Sequence, residues 1–413
     1  MKIFFLNAVF WVTVFSFIKF FLNLKLASLL LPSDYGIILV PIIFFGFLDL
    51  LFEGGFHSGI IKFNASKNDI RLIFKQKLKL AIMVIPPAGL ILSILTTQFF
   101  TSSLPNAVIL IFMLTALIKL TNYFTEAKLI AEGYYLRTEL YSFITTVMTY
   151  SLFIFFIPKI SMPGFYSLAL INLVIISSYG FCLNLLLSHI NLPKQESQLK
   201  DLNNFASSVI QSTFLFAIGA RIDEITASLL ISSNTLGLYS KLKELGITIG
   251  TFSSKIISRP WYYIACNIKA TSVQQIYFAC LVGSMFVAFF LLNFLITLVS
   301  FLITFLGPNW TQLSDFSIFI VLIFIMYFYV VFTNVTMLSL GLEREQLFID
   351  RWMIGIKISL YLAMTAMIGA NYVEFEIKTF LLIEIASRIL NLLLQIICLA
   401  RKSGSNNIFD MRT

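Results

Sequence analysis

Long apolar runs follow one another along this chain so closely that little else fits between them. Of 413 residues, 59% are hydrophobic and only 12% charged, whereas soluble domains are about a quarter charged. A run of about 20 apolar residues crosses the hydrocarbon layer as a helix. Because lipid offers backbone groups no partner, such runs must close their own hydrogen bonds. Marked by the Gly, Pro and charge between them, twelve spans are expected: 4–31, 36–58, 78–100, 106–126, 139–158, 164–187, 204–232, 236–258, 274–305, 313–340, 352–370 and 377–400. The expected fold is an all-α membrane protein of about twelve transmembrane helices. The first run lacks a small-residue cleavage site and reads as a retained helix. The eighth holds Lys241, Lys243 and Glu244 and is amphipathic; it is included because its counterpart at 36–58 is clearly a span.

That counterpart comes from an internal repeat. Ala27-Ser28-Leu29-Leu30 recurs as Ala227-Ser228-Leu229-Leu230, displaced by 200 residues. Each copy ends a span, enters a short turn and reaches a glycine, Gly36 or Gly237, that opens the next span. Two related halves are a common transporter plan. The polar stretch after Ser188 lies near the midpoint, which divides the chain into a six-helix bundle at 1–190, a cytoplasmic linker at 191–203, a second six-helix bundle at 204–402 and a cytoplasmic tail at 403–413.

Charge placement sets the orientation. With a cytoplasmic N-terminus, nineteen Lys and Arg fall on the cytoplasmic side and only Lys159 and Lys378 on the outer side. This bias puts both termini in the cytoplasm. It also accounts for most of the net charge of +9 through topology and contact with anionic lipid, with no need for nucleic acid.

Charges inside spans are informative because each costs roughly 2.5–3.5 kcal/mol at the bilayer centre on insertion scales. Arg221, Asp223 and Glu224 lie in the middle of the seventh span, and Lys19 and Lys25 lie in the first. Cations held at depth suit an anionic ligand such as a phosphate or pyrophosphate headgroup. The structural alternative for Arg221 is an ion pair with Glu224 one turn on. Asp49, Glu53 and His57 are spaced to share one helix face, and Asp49 and Glu53 are the candidates for a coupling ion. Glu384 and Arg388 read as a self-satisfied i, i+4 pair. Lys119, Lys25 and Lys357 read as cations that reach for the headgroup layer. Asn residues inside spans, Asn334 among them, suit interhelical hydrogen bonds.

No phosphate-binding GxxxxGK[ST] loop, GxSxG or HExxH motif occurs, and the four cysteines show no paired spacing. Neither a cofactor nor a metal is expected, and the reading is a transporter and not an enzyme.

Several of these segments also carry a resemblance. Leu26-Ala27-Ser28-Leu29-Leu30-Leu31-Pro32-Ser33-Asp34-Tyr35-Gly36, then Glu53-Gly54-Gly55-Phe56 and Gly59-Ile60-Ile61, resemble the opening pattern of the polysaccharide-transporter (O-antigen flippase, Wzx-like) family. Glu126–Gly133 falls where that family has the cytoplasmic loop after its fourth helix. Arg221-Ile222-Asp223 and Leu236-Gly237-Leu238-Tyr239-Ser240 are similar to its signature in the seventh and eighth helices. Ser28 stands where the family often has a basic residue, and Leu31 stands where it has glycine. The motifs are shared with multidrug exporters and with the longer lipid II flippase.

The resemblance implies two bundles around a central cavity with alternating access, in the bacterial inner membrane. It implies a polyprenyl-pyrophosphate-linked oligosaccharide as substrate, moved from the cytoplasmic to the outer leaflet. Membrane lipids, a polysaccharide polymerase and a chain-length regulator would be its partners. The cavity residues expected on this reading are Arg221, Asp223, Glu224, Lys19, Lys25 and Lys241. The competing readings are a drug or metabolite exporter of the same superfamily, a membrane glycosyltransferase or polymerase, and a non-transporting membrane subunit. The short outer loops weigh against the enzyme.

Overall fold

Among the described residues, each of the twelve apolar runs falls largely on helix. The computed structural model describes residues 2–53, 55–63, 65–98, 105–159, 162–188, 199–266, 269–369 and 377–404, and among them there is no strand. The helices are α1 (Lys2–Ala27), α2 (Pro32–Glu53), α3 (Phe56–Phe63), α4 (Lys67–Gln98), α5 (Asn106–Ala131), α6 (Tyr135–Phe156), α7 (Gly164–Ser188), α8 (Leu199–Leu230), α9 (Ser233–Cys266), α10 (Ala270–Phe290), α11 (Leu292–Thr304), α12 (Ser317–Ser339), α13 (Glu343–Gly369) and α14 (Ile377–Gly404). Eight described segments are long and apolar enough to cross a membrane.

Two of the expected spans are broken. The second ends at Glu53, and Gly55 follows with φ of 76°, a left-handed backbone that glycine adopts without strain. His57 therefore lies on α3, and only Asp49 and Glu53 keep the shared face of α2. The ninth, 274–305, is built from α10 and α11; at 1.5 Å per residue its 32 residues far exceed one crossing.

The chain divides into two compact units, Met1–Gly237 and Leu238–Thr413. The linker expected at 191–203 and the tail at 403–413 lie largely outside the described residues. In the first unit α5 is central, packing on α2, α3, α4 and α7, while α1 packs on α6 and α8 on α2 and α3. Small residues allow the closest approaches, as lipid-embedded packing requires. At Gly180 of α7 a Cβ would overlap the Asn122 carboxamide of α5, whose Nδ2 donates to the Ile176 carbonyl at 2.7 Å. In the second unit Gly246 and Gly250 of α9 lie one turn apart against Ile323 and Tyr327 of α12. Gln395 of α14 donates to Asn334 of α12 at 2.6 Å, an interhelical bond of the expected kind.

The repeat is visible as two matched helix–turn–helix junctions: α1 ends at Ala27 and α2 begins at Pro32, while α8 ends at Leu230 and α9 begins at Ser233. The first turns of α2 and α9 touch. A Cβ at Gly36 would overlap the Ser233 carbonyl, and one at Gly237 would overlap the Pro32 carbonyl. Asp34 fixes the start of α2 by accepting from the Leu31 amide at 3.1 Å and from the Phe165 amide of α7 at 3.3 Å.

Candidate functional site

Most charges inside the first unit are held in pairs or polar contacts. Asp49 on α2, 7% exposed, accepts from Lys119 of α5 at 2.7 Å. The Lys119 ammonium also lies over the Tyr123 ring at 5.5 Å. Lys119 is thus an ion-pair partner inside the bundle and not a headgroup-seeking cation. The cause is proximity: a carboxylate a few ångströms away offers more than a reach to the rim. One turn further along, Glu53 lies within electrostatic range of Lys119, and His57 meets the Tyr123 ring at a centroid distance of 6.3 Å.

This column of polar groups continues past the residues expected from sequence. Glu126 of α5 is hydrogen-bonded with Tyr179 of α7 and lies within electrostatic range of Glu139 of α6 and Glu53. Lys119, Tyr123 and Glu126 stand at i, i+4 and i+7, so a helical-face count on the fourth span would have found them. The column lines the α2–α5 contact and brings both coupling-ion candidates together. A lysine ammonium already neutralises one of them.

Lys19 of α1 is half-buried and donates to Ser142 of α6 at 3.0 Å. Lys25, on the last turn of α1, is exposed. In α8 Arg221 pairs with Glu224, the acid buried and the arginine side chain 45% exposed. Asp223, beside them, is fully buried. The expected i, i+3 pair is therefore present.

In the second unit Lys241 of α9 is 1% exposed and pairs with Glu244 at 3.0 Å. A second ionic group centres on Glu384 of α14, also 1% exposed. It accepts from Lys357 of α13 at 2.7 Å and from the Nε of Arg388 at 2.8 Å. Lys243 of α9 lies within its electrostatic range, and the Arg388 guanidinium lies 5.1 Å from the Tyr327 ring centroid. The expected Glu384–Arg388 pair is present. The expectation for Lys357 is corrected: it does not reach for the headgroup layer, because Glu384 stands within hydrogen-bond distance.

Among the described residues no group of three or more His, Cys, Asp or Glu could hold a metal ion. The chemistry on offer is that of fixed charge and hydrogen bonding inside apolar helices, which suits binding and passage of a polar or anionic group.

The chain matches a protein family described as polysaccharide biosynthesis protein over residues 25–315. No curated protein matches the sequence. Among solved structures, the chain resembles the inward-facing conformation of a multidrug resistance MATE family transporter of the MOP superfamily, with a TM-score of 0.65 and 11% identity over 94% of this chain and 95% of that one. The outward-facing conformation of a MATE family transporter gives 0.57 at 14% identity, over 96% of both chains. The lipid II flippase MurJ in its inward closed conformation gives 0.59 at 13% identity, over 97% of this chain and 89% of that one. At these identities the likeness establishes a shared fold.

Proposed function

The chain belongs to the polysaccharide biosynthesis protein family, and on that premise we propose that it is a flippase for a polyprenyl-pyrophosphate-linked oligosaccharide. The repeat unit of an O-antigen or a similar surface polysaccharide would pass from the cytoplasmic to the outer leaflet of a bacterial inner membrane. The observation that carries this reading is the retention of cations within the apolar helices, Lys19 and Arg221 above all. Each keeps a polar partner and neither lies at a helix end. Fixed cations there suit a diphosphate that must leave the headgroup layer.

In this reading the chain crosses the membrane twelve times with both termini cytoplasmic, as two six-helix halves working by alternating access. Arg221, Asp223, Glu224, Lys19, Lys25 and Lys241 contact the substrate, and Asp49 and Glu53 serve ion coupling. Transport involves no bond-making chemistry and no cofactor. A polysaccharide polymerase and a chain-length regulator take over the delivered unit. The shared fold with MurJ, a lipid II flippase, supports a lipid-linked cargo.

The test is deletion of the gene in its native strain, complemented with wild type and with Arg221→Ala. Loss of surface polymer with single lipid-linked units accumulating on the cytoplasmic face supports the flippase. Normal polymer with altered drug sensitivity would replace it with an exporter, and units accumulating on the outer face would point to a polymerase.

A further inference from the structure

Helix α4 carries a row of cations that the transport reading does not use. Lys67, Arg71, Lys75 and Lys79 stand at successive i+4 positions, and all four are exposed. None of the four has an ion-pair partner among the described residues. The acid within this stretch, Asp69, is 5% exposed and bonded to Ser66 at 2.8 Å. The other cations of the segment turn elsewhere, Lys62 over the Phe205 ring at 4.5 Å and Lys77 over the Phe56 ring at 5.0 Å.

What lies beyond Lys79 decides the meaning of the row. The exposed face of α4 continues with Ile82, Met83, Leu90, Ile91 and Ile94, each more than half exposed. The opposite face, with Ile73, Ala81, Ile85 and Leu92, is buried in the core of the first unit. The outward face therefore changes from basic to apolar between Lys79 and Ile82, on a segment long and apolar enough to span. From Lys79 to the end of the helix at Gln98 the rise is about 28 Å, close to the hydrocarbon thickness of about 30 Å. Lys79 thus marks the edge of the hydrocarbon layer. Lys75 stands about 6 Å further out, within a headgroup layer roughly 5–8 Å deep. Arg71 and Lys67 lie about 12 and 18 Å out, where salt screens a surface charge.

We infer that this face of α4 is a docking site for anionic phospholipid headgroups, with Lys75 and Lys79 in direct contact and Arg71 and Lys67 adding weaker long-range attraction. On the charge-based orientation the leaflet is the cytoplasmic one. The apolar surface directly below the cations holds the acyl chains, which favours a lipid over a soluble acidic partner.

The test titrates phosphatidylglycerol into the full-length protein in neutral detergent and counts bound lipids by native mass spectrometry, with phosphatidylcholine as the zwitterionic probe. The variants replace exposed side chains without partners, and size-exclusion profiles check that they fold. The first phosphatidylglycerol is expected to bind more tightly than phosphatidylcholine. In the double variant K75Q/K79Q its affinity falls about fivefold or more, as for cations at a membrane surface. In K67Q/R71Q the fall is smaller, and added salt narrows the preference. Unchanged affinity in K75Q/K79Q, or a larger loss in K67Q/R71Q, would overturn the inference. So would unchanged lipid binding with reduced surface polymer in cells, which would assign the face to a protein partner.

Discussion

Gly36 and Gly237 face one another where the first turns of α2 and α9 cross, and a side chain at either position would overlap the backbone of the opposite helix. The two glycines occupy matching places in the two copies of the internal repeat. The close approach explains why each copy needs a glycine there: an obstructing backbone carbonyl cannot swing aside as a side chain can. Gly36→Val and Gly237→Val are each expected to destabilise the protein by at least about 1–3 kcal/mol, the usual range for overpacking. Gly46→Ala in α2, where nothing lies within 4 Å, should be neutral or slightly stabilising, since alanine favours helix. Thermal unfolding of the purified variants in detergent checks both. Equal melting temperatures for Gly36→Val and Gly46→Ala would count against the contact.

Asp49 and Lys119 form an ion pair between α2 and α5 in which the acid is buried and the lysine side chain is 34% exposed. Removing one partner of a fully buried pair costs about 3–5 kcal/mol, and partial exposure reduces this. Asp49→Asn should therefore cost about 2–3 kcal/mol, and Asp49→Leu combined with Lys119→Met should recover most of it. A double-mutant cycle on unfolding measures the coupling. Additive losses in the cycle would mean that the pair contributes nothing.

Glu384 serves two cations, Lys357 and Arg388, so its loss should exceed that of either partner. Glu384→Gln leaves two positive groups facing each other in an apolar setting, at a cost of about 3–5 kcal/mol. Lys357→Met and Arg388→Met each leave one ion pair intact and should cost less. The order of melting temperatures reads this directly. A Lys357→Met protein less stable than Glu384→Gln would contradict the shared-carboxylate arrangement.

The sequence shows the helical plan because the bilayer imposes length, apolarity and breaks at Gly, Pro and charge. Among the described residues each expected run falls largely on helix for that reason. The breaks at Gly55 and Leu291 were less legible, since hydropathy does not register a change of direction within an apolar run. The pattern Pro32-Ser33-Asp34-Tyr35-Gly36, read as a family marker, has a structural role here. Asp34 accepts two backbone amides, and Gly36 permits the crossing with α9.

Ionic partners one turn apart could be counted from spacing, as for Arg221 with Glu224 and Glu384 with Arg388. Partners on different helices could not, because spacing carries no information on which helices adjoin. Lys119 with Asp49 and Lys357 with Glu384 were missed for that reason. The meeting of Glu126 with Glu139 and Tyr179 belongs with them, since the three residues come from three packed helices.

The central claim is passage of a diphosphate-linked lipid, and the most direct measurement is translocation by purified protein in sealed vesicles. A polyprenyl-diphosphate glycolipid with a fluorescent sugar is distributed over both leaflets, and an impermeant reagent destroys the outer fluorescence. Wild-type protein should make nearly all the lipid accessible, whereas protein-free vesicles keep about the half set by two equal leaflets protected. Arg221→Ala, folded and incorporated equally, should slow the loss at least tenfold, the equivalent of about 1.4 kcal/mol at the barrier. Fluorescence that stays half-protected with folded wild-type protein present would contradict the account.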